Sequence, residues 1–297
     1  MGELAALSGA ATWTIAAFLF SDARKHFSAI SVNLLKGVIA IPLLGIGAIL
    51  LHADALPTFN QTTLLLCLSG VLGIAIGDTA FFAALSRIGP RKTLLIESPT
   101  PILTGILAMS ISQEFLSPIA WLGVCATTGG IIWVMLERTP SGSSYERDAN
   151  DLRAGIAFAT LAALSQAAGS ALSHKALYEQ PDSALWAAFI RLTAAVGCIT
   201  LFILPKMLST ARPKIKVSGR VWRKLLLATF LGTFIGLWLQ QLALQYASAA
   251  VAQSLLSLSP LFALGIAVHR GETLSPRTWM GTIIALVGIM LLIAPSP

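Results

Sequence analysis

The sequence predicts an all-α polytopic membrane protein whose ten transmembrane helices form two inverted five-helix repeats. Three observations carry this. Of 297 residues, 56% are hydrophobic and only 11% charged, with a mean hydropathy of +0.79, whereas soluble domains carry about 25% charged residues. Apolar runs of about 20 residues, the length that crosses a bilayer, recur from end to end. The second half also repeats motifs of the first in the same order. This composition excludes a soluble enzyme and a disordered regulator. A membrane β-barrel would alternate apolar and polar positions, but runs such as TLLLCLSGVLGIAIG, Thr63 to Gly77, are continuous.

Charge, proline and turn clusters bound the helices at 3–20, 29–50, 64–86, 93–111, 118–136, 154–173, 184–204, 224–245, 248–268 and 276–294. Met1, Gly2 and Glu3 lead into the first span without a basic n-region, so that span is expected to stay and not to be cleaved as a signal peptide. The loops are short except for ERTPSGSSYERDANDLR, Glu137 to Arg153, which has linker composition. The expected division is 1–137 for the first repeat, 138–152 for the linker and 153–297 for the second repeat.

EFLSPIAWLG from Glu114 and ETLSPRTWMG from Glu272 share E-x-L-S-P-x-x-W-x-G at an offset of 158 residues, each at the start of the last helix of its half. LAALS occurs at Leu4 and Leu161, LGxxIG at Leu72 and Leu231, Pro101 matches Pro260, and Lys36 matches Arg191 in SAxxxxxx[K/R]. Several matches in one order at nearly one offset mean duplication. Five crossings per copy start the second copy on the opposite side, so the repeats are inverted, an arrangement found in secondary transporters.

Two five-helix repeats, a basic residue early in the second helix of each, a proline midway along the fourth and a glutamate before the fifth resemble the EamA-type branch of the drug/metabolite transporter superfamily. The resemblance covers essentially the whole chain. It implies a ten-helix carrier that moves a small metabolite by alternating access, often as an exporter and without ATP. It also implies a central cavity lined mainly by helices 1, 3, 4, 6, 8 and 9.

The net charge of +7 does not indicate nucleic acid, because the bases crowd into loops. Of 20 Lys and Arg, 17 lie in the loops after helices 1, 3, 5, 7 and 9, Lys175 alone lies on the other side, and Lys36 and Arg191 lie within spans. The positive-inside rule makes the crowded side cytoplasmic and puts both termini outside a plasma or inner membrane, although the resembled family more commonly keeps its termini in the cytoplasm.

Four ionisable residues fall within spans, where each needs a partner, a wet cavity or a neutral form. Counted from the basic-loop ends, Lys36 and Asp78 lie about 10 Å deep and Glu97 about 6 Å, while Arg191 lies about 10 Å from the other face. Asp78 is either a cavity carboxylate for a substrate ammonium or a proton, or the ion-pair partner of Lys36. Its repeat counterpart is Leu237, so the repeat fold does not require the acid. Glu97 is a second proton-coupling candidate or a helix-start acid. Lys36 and Arg191 occupy one repeat position and are expected to be structural, pairing with carbonyls or snorkelling. Glu114 and Glu272 belong to the loop motifs whose Ser-Pro starts the next helix, and are expected to be structural as well.

The neutral candidates are Trp13 and Thr12 in helix 1, Gln166 and Ser170 in helix 6, Trp238 and Gln241 in helix 8, and Gln253 and Ser257 in helix 9. Of these, Trp13, Gln166, Trp238, Gln241 and Gln253, together with Asp78, are expected to bind substrate; interhelical hydrogen bonding is the alternative use of buried amides. Indoles, amides and one or two carboxylates suit a zwitterionic or weakly basic metabolite such as an amino acid. A facilitative uniporter or channel and a cationic-drug efflux carrier are the alternatives. Gly123 and Gly130 match Gly281 and Gly288, and small residues one heptad apart serve packing or dimerisation. Monomer and homodimer both fit.

Nothing points to catalysis, a metal or a cofactor. No H-E-x-x-H, C-x-x-C or G-x-x-x-x-G-K-[ST] occurs. Cys67, Cys125 and Cys198 sit apart inside apolar runs, and His26, His52, His174 and His269 are placed in or beside loops. Without an ATP site, gradients are the energy source, with protons as the coupling ion.

Overall fold

The computed structural model describes residues 1–51, 59–136, 149–179, 183–209, 218–269 and 274–293. Glu272 and most of the stretch read as linker lie outside these residues. Ten helices are long and apolar enough to cross a membrane: α1 (Gly2–Ala23), α2 (Ala29–Leu51), α3 (Gln61–Gly89), α4 (Lys92–Ile111), α5 (Pro118–Met135), α6 (Ala149–Glu179), α7 (Ala184–Pro205), α8 (Gly219–Tyr246), α9 (Ala249–Ile266) and α10 (Pro276–Ile293). They form two five-helix repeats.

The largest departure from the expected limits is α6, which starts inside the stretch read as linker and runs past residue 173. Charge ends an apolar run but not a helix, because Lys, Glu and Leu are all good helix formers. His174 is therefore not a loop residue. It is 6% exposed, on the last turns of α6.

Ser-Pro starts the last helix of each half in the same way. Ser117 Oγ accepts the Ala120 N–H at 3.2 Å, Ser275 Oγ accepts the Thr278 N–H at 3.2 Å, and Pro118 and Pro276 take the first helical position, where no N–H is needed. The two helices then pack on each other through their glycines. A Cβ on Gly130 would come 2.5 Å from Ala285 N, and one on Gly288 would come 2.4 Å from Thr127 N. The matched glycines thus join α5 to α10 within one chain. Between α3 and α4 the chain turns at Gly89, whose φ of 79° suits glycine.

Two irregularities recur at equivalent places. The backbone widens into π-helical turns at Val71–Asp78 in α3 and at Thr229–Ile235 in α8. Helix α4 breaks at Ser98 and Pro99, and α9 at Ser257 and Leu258. Pro101 removes the N–H that Glu97 C=O would accept, and Thr100 Oγ1 donates to that oxygen at 2.5 Å. Pro260 does the same to Leu256 C=O, which Ser259 Oγ reaches at 3.3 Å. In each repeat the hydroxyl before the proline compensates for the lost donor.

Candidate functional site

Both irregularities border one cavity of about 180 Å³ between the repeats. Wide turns and broken helices expose backbone and side chains that a regular helix would bury against its neighbours, and both devices cluster at functional sites in membrane proteins.

On its first-repeat side the cavity is charged. Lys36 of α2 and Asp78 of α3 form an ion pair. Both line the cavity, the lysine side chain 3% exposed and the aspartate 23%, so the carboxylate is the more open of the two. One turn earlier on α2, Asn33 Nδ2 donates to Ile74 O and to Thr79 Oγ1, both at 2.8 Å, fastening α2 to the wide turn of α3. The ammonium also lies 5.4 Å from the centre of the Phe82 ring. Glu97 lines the same cavity, and no basic group lies within 4.0 Å of it among the described residues.

Trp13, Gln166, Gln253 and Ser257 also line the cavity. Two residues expected there do not. Gln241 is wholly buried, its Oε1 accepting from Ser173 Oγ, and Trp238 packs with the α2–α7 cluster. Gln240 takes the lining place instead. At the LGxxIG offset of 159 residues Gln240 is the counterpart of Phe81, another lining residue, so the two repeats present the same position.

That correspondence is general. Gly77 and Gly236, Asp78 and Leu237, Phe81 and Gln240, Leu94 and Gln253, Glu97 and Leu256, Ser98 and Ser257, and Thr100 and Ser259 are equivalent pairs, and both members of every pair line the cavity. The repeat sets most of the positions that face it, although Lys36 and Pro260 line the cavity and their counterparts Arg191 and Pro101 do not, and the two copies fill the shared positions with different chemistry. Both acids come from the first half, each opposite a leucine, and the amides come from the second.

At the end remote from the basic loops, α6 is tied to its neighbours by polar contacts. Ser170 Oγ donates to Gln253 Oε1 at 3.0 Å. His174 Nδ1 lies 2.7 Å from Leu244 O and its Nε2 lies 3.2 Å from Glu114 Oε2, an oxygen that also accepts Ala249 N–H at 3.3 Å. Glu114 therefore serves α6 and α9, whereas the loop motif pointed to the helix that follows it. Among the described residues no three His, Cys, Asp or Glu side chains gather as a metal site would.

A family model described as the EamA-like transporter family matches residues 1–136 and again 153–294. A crystal structure of a protein, 15% identical, is similar over 98% of this chain and 96% of that one, with a TM-score of 0.75. At that identity the likeness shows the fold alone. No curated protein sequence matches the chain.

Proposed function

The chain belongs to the EamA-like transporter family of the drug/metabolite transporter superfamily, and on that premise we propose that it is a secondary-active carrier. It exports a small polar or zwitterionic metabolite, such as an amino acid, by alternating access with proton coupling. The supporting observation is the cavity between the repeats, with two carboxyl groups on one side and amides and hydroxyls on the other. Asp78 and Glu97 face a substrate ammonium, Trp13 and Phe81 offer ring faces to it, and Gln166, Gln240 and Gln253 hydrogen-bond its polar groups.

Coupling follows from two acids and one lysine around a shared space. Two carboxylates in a poorly hydrated cavity repel, and one bound proton or one bound ammonium relieves that repulsion. Proton and substrate then compete for one site, which is the requirement for antiport. The basic loops face the cytoplasm of a plasma or inner membrane and the termini face outside, as the loop charges indicate.

Purified protein in proteoliposomes loaded with unlabelled amino acids is expected to take up the labelled compound by saturable counterflow. Flux that rises linearly with concentration and shows no counterflow would instead make the cavity a channel.

A further inference from the structure

Among the described residues the ion pair of the first repeat has no equivalent in the second. Lys36 and Arg191 hold one repeat position, and Lys36 has Asp78. The counterpart of Asp78 is Leu237. Arg191 is only 1% exposed, and no carboxylate lies within 4.0 Å of it among the described residues. Its Nε is buried without a hydrogen-bond partner. Its Nη1 donates to Gln240 Oε1 at 3.4 Å, the long end of the hydrogen-bond range.

Glycine makes room for this guanidinium. A Cβ on Gly73 would stand 3.2 Å from Arg191 Nη2 and 3.5 Å from Gln166 Oε1, so α3 opens a gap for the charge beside a second amide. Gln166 and Gln240 both line the cavity, which leaves the guanidinium one side chain away from the substrate space. Among the described residues the one carboxylate that acts on it, from beyond ion-pair distance, is Asp78, which is already held by Lys36. Desolvating a cation with no contacting counter-charge is unfavourable, and a planar fork of N–H donors matches a carboxylate in bidentate geometry. Gln240 Oε1 holds the place of one oxygen of such an anion.

We propose that Arg191 binds the carboxylate of the transported molecule, with the Gln240 side chain turning aside to admit it. The substrate then spans the pseudosymmetric site, its ammonium at the acids of the first repeat and its carboxylate at the base that the second repeat leaves unpaired. This rests on the amino-acid reading above and narrows it to species that carry a free carboxylate, which bind in preference to the matching amines and amides.

The test uses the full-length protein in detergent, with binding of phenylalanine, leucine, threonine and serine followed by thermal stabilisation, each compared with its carboxamide. At least one amino acid is expected to bind about tenfold or more tightly than its amide, the worth of a charge-assisted hydrogen bond. Arg191→Gln is expected to abolish that preference. Because Arg191→Gln removes a buried side chain, Leu237→Asp is the second variant: it supplies Arg191 with an internal carboxylate where Lys36 already has one, and is expected to weaken the acid while sparing the amide. Equal binding of acid and amide by the native protein, or a preference that survives Leu237→Asp, would overturn the assignment and leave the carrier reading intact. If amines and amides are bound and transported without the acids, the site is a cation site and Arg191 is structural. If none of these compounds binds, the amino-acid reading falls and the assignment with it.

Discussion

His174 Nε2 stands 3.2 Å from Glu114 Oε2, the oxygen that also receives the first backbone N–H of α9. The other ring nitrogen meets Leu244 O near the end of α8. One histidine and one carboxylate thus gather the ends of α6, α8 and α9 with the loop after α4. Glu114→Ala removes the partner of a buried imidazole and of a helix-start N–H together. A loss of about 2 kcal/mol is expected, below the value for a fully buried pair because Glu114 is partly exposed. Thermal unfolding in detergent measures it, and an unchanged midpoint would show that the bridge contributes nothing to stability.

Lys36→Met leaves the Asp78 carboxylate without its base, and Asp78→Asn leaves the more deeply buried ammonium without its acid. Breaking a buried pair from one side costs about 3 kcal/mol or more, whereas removing both charges is often close to neutral. Each single variant is expected to lower folded yield, Asp78→Asn the more, and the double variant to recover most of it. Additive losses would rule out the pair as a structural unit. A well-folded Lys36→Met protein that has lost substrate binding alone would make Lys36 a ligand.

Proton coupling is tested at the two acids. Asp78→Asn, studied with Lys36→Met where yield requires it, is expected to keep counterflow at a raised substrate concentration, because Glu97 still faces the ammonium and exchange needs no net proton movement, and to lose accumulation driven by a pH gradient. Glu97→Gln has no ion pair to disturb and serves as the second probe. Full pH-driven accumulation by Asp78→Asn would transfer the coupling role to Glu97, and full accumulation by both variants would end the proton-antiport reading.

Gly288→Leu forces a side chain where a Cβ would stand 2.4 Å from the Thr127 backbone, so α5 and α10 cannot keep their contact. Loss of most folded protein is expected in size-exclusion profiles. Gly129→Leu, next to Gly130 in sequence but about 100° round the helix from it and with nothing within 4 Å of its Cβ position, is expected to leave the profile unchanged and to gain a few tenths of a kcal/mol or more in helix propensity. Equal outcomes for the two would mean that the glycine contact does not hold the halves together.

Orientation follows from 17 basic residues in one set of loops against Lys175 on the other side. Alkaline phosphatase fused after Pro297 is expected to be active, and a fluorescent protein that matures only in the cytoplasm is expected to stay dark there. A bright fusion reverses the topology and places the basic loops outside.

Fold class and symmetry were legible in the residues alone. Bilayer thickness sets the length of apolar run a helix needs, and an odd number of spans per repeat leaves only an inverted arrangement. The sequence also put Lys36, Asp78 and Glu97 at compatible depths, because rise per residue converts position into depth. Rotation about the helix axis was not legible. Soluble helices show their buried face by an apolar stripe, but membrane helices are apolar all round, and neighbours such as Gln240 and Gln241 point about 100° apart, with the π-helical turns of α3 and α8 shifting the phase further. The folded bundle was needed to show that Gln240 faces the cavity and Gln241 faces Ser173. It alone also settled that His174 is held by Glu114, that the matched glycines bring α5 against α10, and that no carboxylate lies within 4.0 Å of Arg191 among the described residues. Each of these depends on which surfaces of separate helices meet, and interhelical packing fixes that only when the whole bundle closes.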